Sequence, residues 1–288
     1  MTASSCISIR YGRSWVFVSE LQISKERLEY LKSRKRQKNA VAVLRVIIIV
    51  GFFALWELAA RLGWIDAFIM SSPSRMFETV TNLYISGDLF LHIGISCLET
   101  VIGFILGTLI GTLIAIALWN SPFLSKVLDP YLVVLNSLPK TALGPIFIVW
   151  IGAGPPSIIA MTLAISLIVT ILDVHNGFLS TDPEKMKLMR TLGASKRQIL
   201  FKLVLPANFS TMINALKVNV GLSWVGVIMG EFLVSKAGLG YLIVYGSQVF
   251  KMDLVMATVI ILAIAAALMY QCILLLEKAL KKYIGVTS

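Results

Sequence analysis

Six apolar runs, at residues 41–61, 94–118, 131–151, 157–177, 207–233 and 253–276, dominate this 288-residue chain. A helix needs about 20 mostly apolar residues to cross the hydrocarbon core of a bilayer, and each run meets that length. In hydrocarbon a spanning segment must satisfy its own backbone N–H and C=O groups, so runs of this kind specify helices. The expected fold class is an all-α polytopic membrane protein with six transmembrane helices. What remains is too short for a separate large soluble domain. Composition agrees, with 57% hydrophobic and 14% charged residues, against roughly 45–50% and about 25% in soluble domains. A soluble enzyme, a coiled coil and a disordered chain are excluded. The third run is interrupted by Pro139, Lys140 and Pro145, breaks that are tolerated where neighbouring helices or a cavity satisfy the freed backbone.

The net charge of +11 collects between the apolar runs, a membrane-topology pattern rather than a nucleic-acid surface. Nine Lys and Arg precede residue 41, and six (Lys185, Lys187, Arg190, Lys196, Arg197, Lys202) lie in the loop 178–206. Lys126 and the C-terminal Lys278, Lys281 and Lys282 fall on the same side, whereas the alternate loops hold only Arg61, Arg75, Lys236 and Lys251. The positive-inside rule then places both termini and the 178–206 loop in the cytoplasm, which six spans allow. The chain divides into a basic tail (1–40), a membrane domain (41–280) and a short C-terminal tail (281–288). Residues 25–38 of the tail are basic and helix-compatible, suited to anionic membrane lipid. Arg10, Arg13, Glu20 and Lys25 interrupt any secretory signal core, so the first span is expected to act as the insertion signal.

Catalytic chemistry has no support. There is no phosphate-binding G-x-x-x-x-G-K-[ST] loop and no H-E-x-x-H zinc motif. Cys6, Cys97 and Cys272 lack metal-ligand spacing. His175 stands near Asp173, either as a proton-handling pair or as polar residues at a span end. Ionisable side chains inside membrane runs are functional candidates by default; here they are Glu57, Glu99, Lys140, Lys217 and Glu231, which either pair with one another or form a proton relay. Gly103, Gly107 and Gly111 recur every fourth residue, a face for close helix packing. Asn214, Lys217, Asn219, Ser223 and Trp224 give the fifth run a polar side, read either as a lined pathway or as interhelical hydrogen bonding. Ser71-Ser72-Pro73 reads as a helix cap with proline in the first turn, opening an amphipathic stretch toward Tyr84.

The loop 178–206 is larger than a connection requires. A helix begins near Pro183, breaks at Gly193-Ala194-Ser195 where glycine permits a turn, and resumes toward Leu205-Pro206. A compact helical protrusion of this size is expected to dock a partner.

At these residues the chain resembles type I permeases of ATP-binding-cassette importers, whose loop carries the EAA motif. The matching elements are Leu192-Gly193-Ala194-Ser195 and then Leu205-Pro206, twelve residues beyond the glycine. More narrowly it resembles the nitrate/sulfonate/taurine/bicarbonate group, through Ser72-Pro73-Ser74, Leu138-Pro139-Lys140-Thr141-Ala142-Leu143-Gly144-Pro145, Trp150-Ile151-Gly152-Ala153-Gly154, Gly230-Glu231 and Gly238-Leu239-Gly240. The resemblance covers about residues 45–280. It departs from the pattern at Lys187, where the motif has its acidic residue, and at Leu188 and Met189, where it has small ones; Glu184 or Asp182 is the available substitute.

This resemblance implies the type I permease fold in the plasma membrane, with the loop as a coupling helix seated on an ATPase subunit. Glu184, Lys187, Leu188, Met189, Leu192, Gly193, Ala194, Ser195, Leu205 and Pro206 would form that contact. It further implies a second permease chain, most simply a homodimer, and an external solute-binding protein. ATP would be bound by the partner ATPase, and this chain would hold no cofactor or metal. The implied solute is a small anion such as nitrate, a sulfonate or taurine; thiamine precursors and riboflavin-like solutes are served by related permeases. Asn136, Lys140, Lys217, Asn219, Ser223 and Trp224 are the pathway candidates. An ion-coupled secondary transporter is the alternative, and the absence of an internal repeat counts against it.

Overall fold

A computed structural model describes residues 7–11, 14–18 and 25–284 and divides the chain into two units, 1–62 and 63–288. The first unit holds a two-stranded antiparallel hairpin, β1 (Ile7–Tyr11) and β2 (Ser14–Val18), and one long helix, α1 (Lys25–Arg61). The hairpin lies within the expected basic tail, ahead in sequence of the helices that carry the all-α membrane fold. Its Ile, Val, Phe, Trp and Tyr content favours pleated pairing. The basic 25–38 segment is continuous with the first span, because no proline or glycine lies between residues 25 and 50 to stop the helix. The expected boundary at residue 40 therefore falls inside α1. No residue in the most apolar stretch of α1 is buried, the character of a helix solvated by lipid.

Among its described residues the second unit has helices as its regular elements. It runs α2 (Ala67–Met70), α3 (Pro73–Ser86), α4 (Asp88–Asn120), α5 (Pro122–Ser137), a 3-10 turn (Lys140–Leu143), α6 (Gly144–Ile151), α7 (Pro155–Leu179), α8 (Pro183–Thr191) and α9 (Lys196–Ile199). A π-helical segment (Leu200–Val204) leads into α10 (Leu205–Ala207), followed by α11 (Phe209–Val234), α12 (Leu239–Gln248) and α13 (Met252–Ile284). Among the described residues of the whole chain five helices are long and apolar enough to cross a membrane, and the α5–α6 pair makes up to six. That pair corrects the third expected span: it bends by 90° at Leu138-Pro139, since proline disfavours a helical residue before it and cannot donate its own hydrogen bond.

Helix α7 is the centre of the bundle, packed between α4 and α11. Close approach requires glycine on both sides of it. A Cβ built on Gly103, Gly107 or Gly111 of α4 would stand 2.5 Å, 2.6 Å and 2.9 Å from Thr162, Ser166 and Thr170 respectively. From the other side, Gly226 and Gly230 of α11 would place a Cβ 2.5 Å from the Thr162 Cα and 2.9 Å from the Ile158 Cα. A small-residue ladder at fourfold spacing thus meets a hydroxyl ladder at the same spacing. Thr162 and Thr170 turn their hydroxyls back onto the carbonyls of Ile158 and Ser166, which leaves methyl groups toward the glycines.

At one end of the bundle, Ser72 caps α3 with Pro73 in the first turn, as its sequence implies. Arg75 ties α3 to the start of α13 through a 2.7 Å ion pair with Asp253, which also accepts a 2.7 Å hydrogen bond from Ser71. The opposite end carries the segment 180–208.

Candidate functional site

The 180–208 segment is built from strong local signals. Asp182 caps α8 by accepting the Glu184 N–H, and Pro183 occupies its first turn. Gly193 ends the helix at φ +78° with open space around it, so its role is conformational: a side chain there is strained rather than crowded. Ser195 then opens α9 with a reciprocal capping box involving Gln198. Pro206 removes one backbone donor, and the widened π turn precedes it. Helix α10 runs through Leu205 and Pro206, and α11 starts at Phe209, where Asn208 holds Thr181 and the Val204 carbonyl. The fifth span thus starts two residues later than the expected 207.

The protrusion has an inner and an outer side. Met186, Met189, Ala194 and Leu205 pack on a buried cluster of Ala115, Val174, Phe178, Ile199, Leu200, Val204 and Ala215. Lys196 donates to the Asn120 carbonyl at 2.8 Å, fixing α9 against the end of α4. Leu188 and Leu192 point outward, 59% and 73% exposed, and Glu184 and Lys187 are exposed beside them. Pro206 is exposed too. Two leucines one turn apart, open on a polar helical knob, make a surface suited to a partner.

At the other end lies a buried polar cluster that the sequence reading did not assemble. Glu231 of α11, 1% exposed, accepts hydrogen bonds from Ser96 Oγ and Gly240 N, each at 2.5 Å. Ser96 Oγ accepts the Leu239 N–H, and His92 Nδ1 accepts the Gly238 N–H at 2.9 Å. The donors therefore come from the Gly238-Leu239-Gly240 loop, and Gly238 adopts φ +117°. Glu99, 5% exposed, shares a hydrogen bond with the Glu231 carboxyl, while its Oε2 is sealed without a partner. The available signal was a polar continuation of the glycine face: His92, Ser96, Glu99 and Thr100 precede Gly103 on one buried side of α4.

Two cavities adjoin this cluster. A cleft of about 810 Å³ between α3, α4, α12 and the start of α13 includes Asp88, His92, Lys236, Tyr241 and Lys251. A second, of about 420 Å³, lies between the start of α7 and the α11–α12 connection, with Glu99 and Lys236 in its wall. A third, of about 340 Å³ at the 180–208 end, is lined by Asp173, Asn176, Ser180, Thr211 and Asn214 together with Gly177, Ala215 and Val218.

The pathway candidates are not brought together. Asn136 is exposed and accepts from Lys140 Nζ at 3.2 Å. Lys217 is bound to Glu277 of α13 at 2.8 Å, and Glu277 also holds Lys281 at 2.9 Å. Asn219, Ser223 and Trp224 are buried in the bundle, where Asn219 donates to Thr108 at 2.7 Å and Trp224 packs with Leu239 and Ile273. His175 bonds Ser125 of α5 at 2.9 Å and not Asp173, since residues two apart on a helix face different sides. Glu57 pairs with Arg61 one turn on. Among the described residues no group of three His, Cys, Asp or Glu side chains is placed to hold a metal ion.

Residues 107–285 match the family model described as binding-protein-dependent transport system inner membrane component. A putative aliphatic sulfonates transport permease of Bacillus subtilis (strain 168) is 29% identical over 250 residues, covering 87% of this chain and 90% of that protein. The formylaminopyrimidine transport permease of Halalkalibacterium halodurans is 27% identical, covering 71% and 81%. The taurine transport system permease of Escherichia coli (strain K12) is 22% identical, covering 89% and 97%. The crystal structure of a bacterial ABC transporter for the polysaccharide alginate shares the fold at a TM-score of 0.60 and 15% identity, covering 87% of this chain and 99% of that one.

Proposed function

Because this chain belongs to the family of binding-protein-dependent transport system inner membrane components, we propose that it is the pathway-forming permease of an ATP-driven importer in the cytoplasmic membrane. Its solute is a small sulfonate or taurine-like anion, as in the relatives named for those solutes; a formylaminopyrimidine is the second solute class, from the relative named for it.

The observation that carries the coupling role is the 183–199 protrusion, with its glycine turn and outward Leu188 and Leu192. It faces the cytoplasm by the charge bias of its loop and seats on a separate ATPase, which binds the ATP; this chain contributes no cofactor. ATP binding drives the conformational switch only through contacts that differ between the two states, and this knob is where they are made. Lys187 replaces the motif's acidic residue, so seating rests on the two leucines and on Glu184. Asp173, Asn176 and Asn214 line a cavity on spanning helices, where polar groups facing lipid are costly; a second copy of the chain covers that side and makes it part of an aqueous path. A solute-binding protein delivers from the α3–α12 end.

Affinity purification of the tagged chain from its native membrane, with identification of co-purifying proteins and an ATPase assay, tests this reading. A stoichiometric P-loop ATPase is expected, lost on disrupting Gly193. A chain that purifies alone and transports in liposomes without ATP overturns it.

A further inference from the structure

We propose that one face of α1, where Arg34, Gln37, Lys38 and Arg45 surround Val41 and Ala42, binds the phosphate headgroup of an anionic phospholipid in the cytoplasmic leaflet. The proposal does not depend on the importer reading. It needs only that α1 crosses the membrane with its N-terminal end inside, as its charge dictates.

These six residues line a groove of about 530 Å³ along the helix. At 3.6 residues per turn, Arg34, Lys38 and Arg45 fall within about 40° of one line. Val41 and Ala42 are short, so they form a low floor between the long cations. No Asp or Glu occurs between Glu29 and Glu57. Arg34, Lys38 and Arg45 are exposed and outside every ion pair among the described residues, and Arg34 rests over the Tyr30 ring at 5.8 Å. The face thus carries three positive charges with no acidic partner on the same stretch of helix.

Depth selects the occupant. The apolar run opens at Val41, so Arg45 stands one turn inside it, where an uncompensated guanidinium is costly. Its side chain relieves that cost by reaching back to the headgroup layer. Lys38 lies about 10 Å away along the axis, on the water side. A phosphate held between them receives the planar guanidinium fork from one side and the ammonium point charge from the other. A nucleic acid or an acidic protein approaching from water meets Arg34 and Lys38 but not Arg45. A zwitterionic headgroup brings a cation of its own against Lys38, whereas an anionic one does not, and the cytoplasmic leaflet is the one that attracts basic segments beside a span.

Equilibrium binding of fluorescent phosphatidylglycerol and phosphatidylcholine, with identical acyl chains, to the full-length chain in neutral detergent tests this. Phosphatidylglycerol should bind about tenfold or more tighter, the scale of a few basic residues near an anionic surface. The pair Arg34→Gln with Lys38→Gln should remove most of that preference, as should Arg45→Gln alone. The pair Lys32→Gln with Arg36→Gln removes the same number of charges from the other side of the helix and should change it less than about threefold. Equal losses from the two pairs, an unchanged Arg45→Gln, or no preference in the wild type would each overturn the site. Displacement of the lipid by millimolar inorganic phosphate at matched ionic strength would also overturn it, by making the groove a site for soluble phosphate. All these side chains are exposed, so a melting temperature equal to wild type is expected for each variant and confirms that binding, not folding, is read. ATP-driven uptake is assayed separately: a lost lipid preference leaves the importer reading standing, and a failed importer reading leaves the lipid site standing.

Discussion

The Glu231 carboxylate accepts the Gly240 N–H at 2.5 Å, and a Cβ built on Gly240 would stand 2.7 Å from the Glu231 Cβ. The carboxylate and the loop are therefore one unit: absence of a side chain at Gly238 and Gly240 is what lets the backbone reach the charge.

Gly238→Ala should destabilise the protein by about 2 kcal/mol or more, since it combines a positive φ with a Cβ 2.5 Å from the Glu231 carboxyl. Thermal unfolding of the solubilised chain measures this. A wild-type melting temperature would show that the loop yields.

Not all packing glycines should be equal. At Gly226 an added Cβ meets the Thr162 backbone at 2.5 Å, whereas at Gly107 it meets the Ser166 hydroxyl at 2.6 Å. A hydroxyl rotates away and a backbone does not. Gly226→Ala should lower the melting temperature several-fold more than Gly107→Ala, within the roughly 1–3 kcal/mol of overpacked cores. Similar shifts for both would contradict the ranking.

Lys217 is bound to Glu277 in the structure, which predicts a bracing role between α11 and α13. Lys217→Glu should lower the melting temperature, and the exchange Lys217→Glu with Glu277→Lys should restore part of it. A double variant no more stable than the single one would remove the ion pair as the explanation and return Lys217 to the pathway.

Leu192→Asp should leave the chain in the membrane and fold intact, because its side chain is 73% exposed. It should nonetheless lose the co-purifying ATPase and cut uptake by about tenfold or more, the scale of an interface anchor. Met189→Asp, whose side chain packs inward, should instead reduce the amount of folded chain. Retained ATPase binding by Leu192→Asp would place the docking surface elsewhere.

Much of the architecture was legible in the sequence because it follows from local physics. Hydrophobic length marks the spans, Ser72-Pro73 starts α3, and Gly193 with Ser195 divides the loop helices. The exceptions are equally local in cause. Pro139 turns the third span through 90°, and the unbroken run from Lys25 carries the basic tail into α1. The Gly103, Gly107 and Gly111 face was readable as a contact surface, but not that its counterpart was Thr162, Ser166 and Thr170.

What the sequence alone determined is where helices form, where they end and which end carries the positive charge, since these depend on residues within a few turns of one another. Only the tertiary structure decided the partners. Glu231 meets Ser96 across 135 residues of chain, Lys217 meets Glu277, and Glu99 meets Glu231. Such pairings depend on how each helix is rotated about its axis when it packs, and the glycine contacts on both sides of α7 set that rotation.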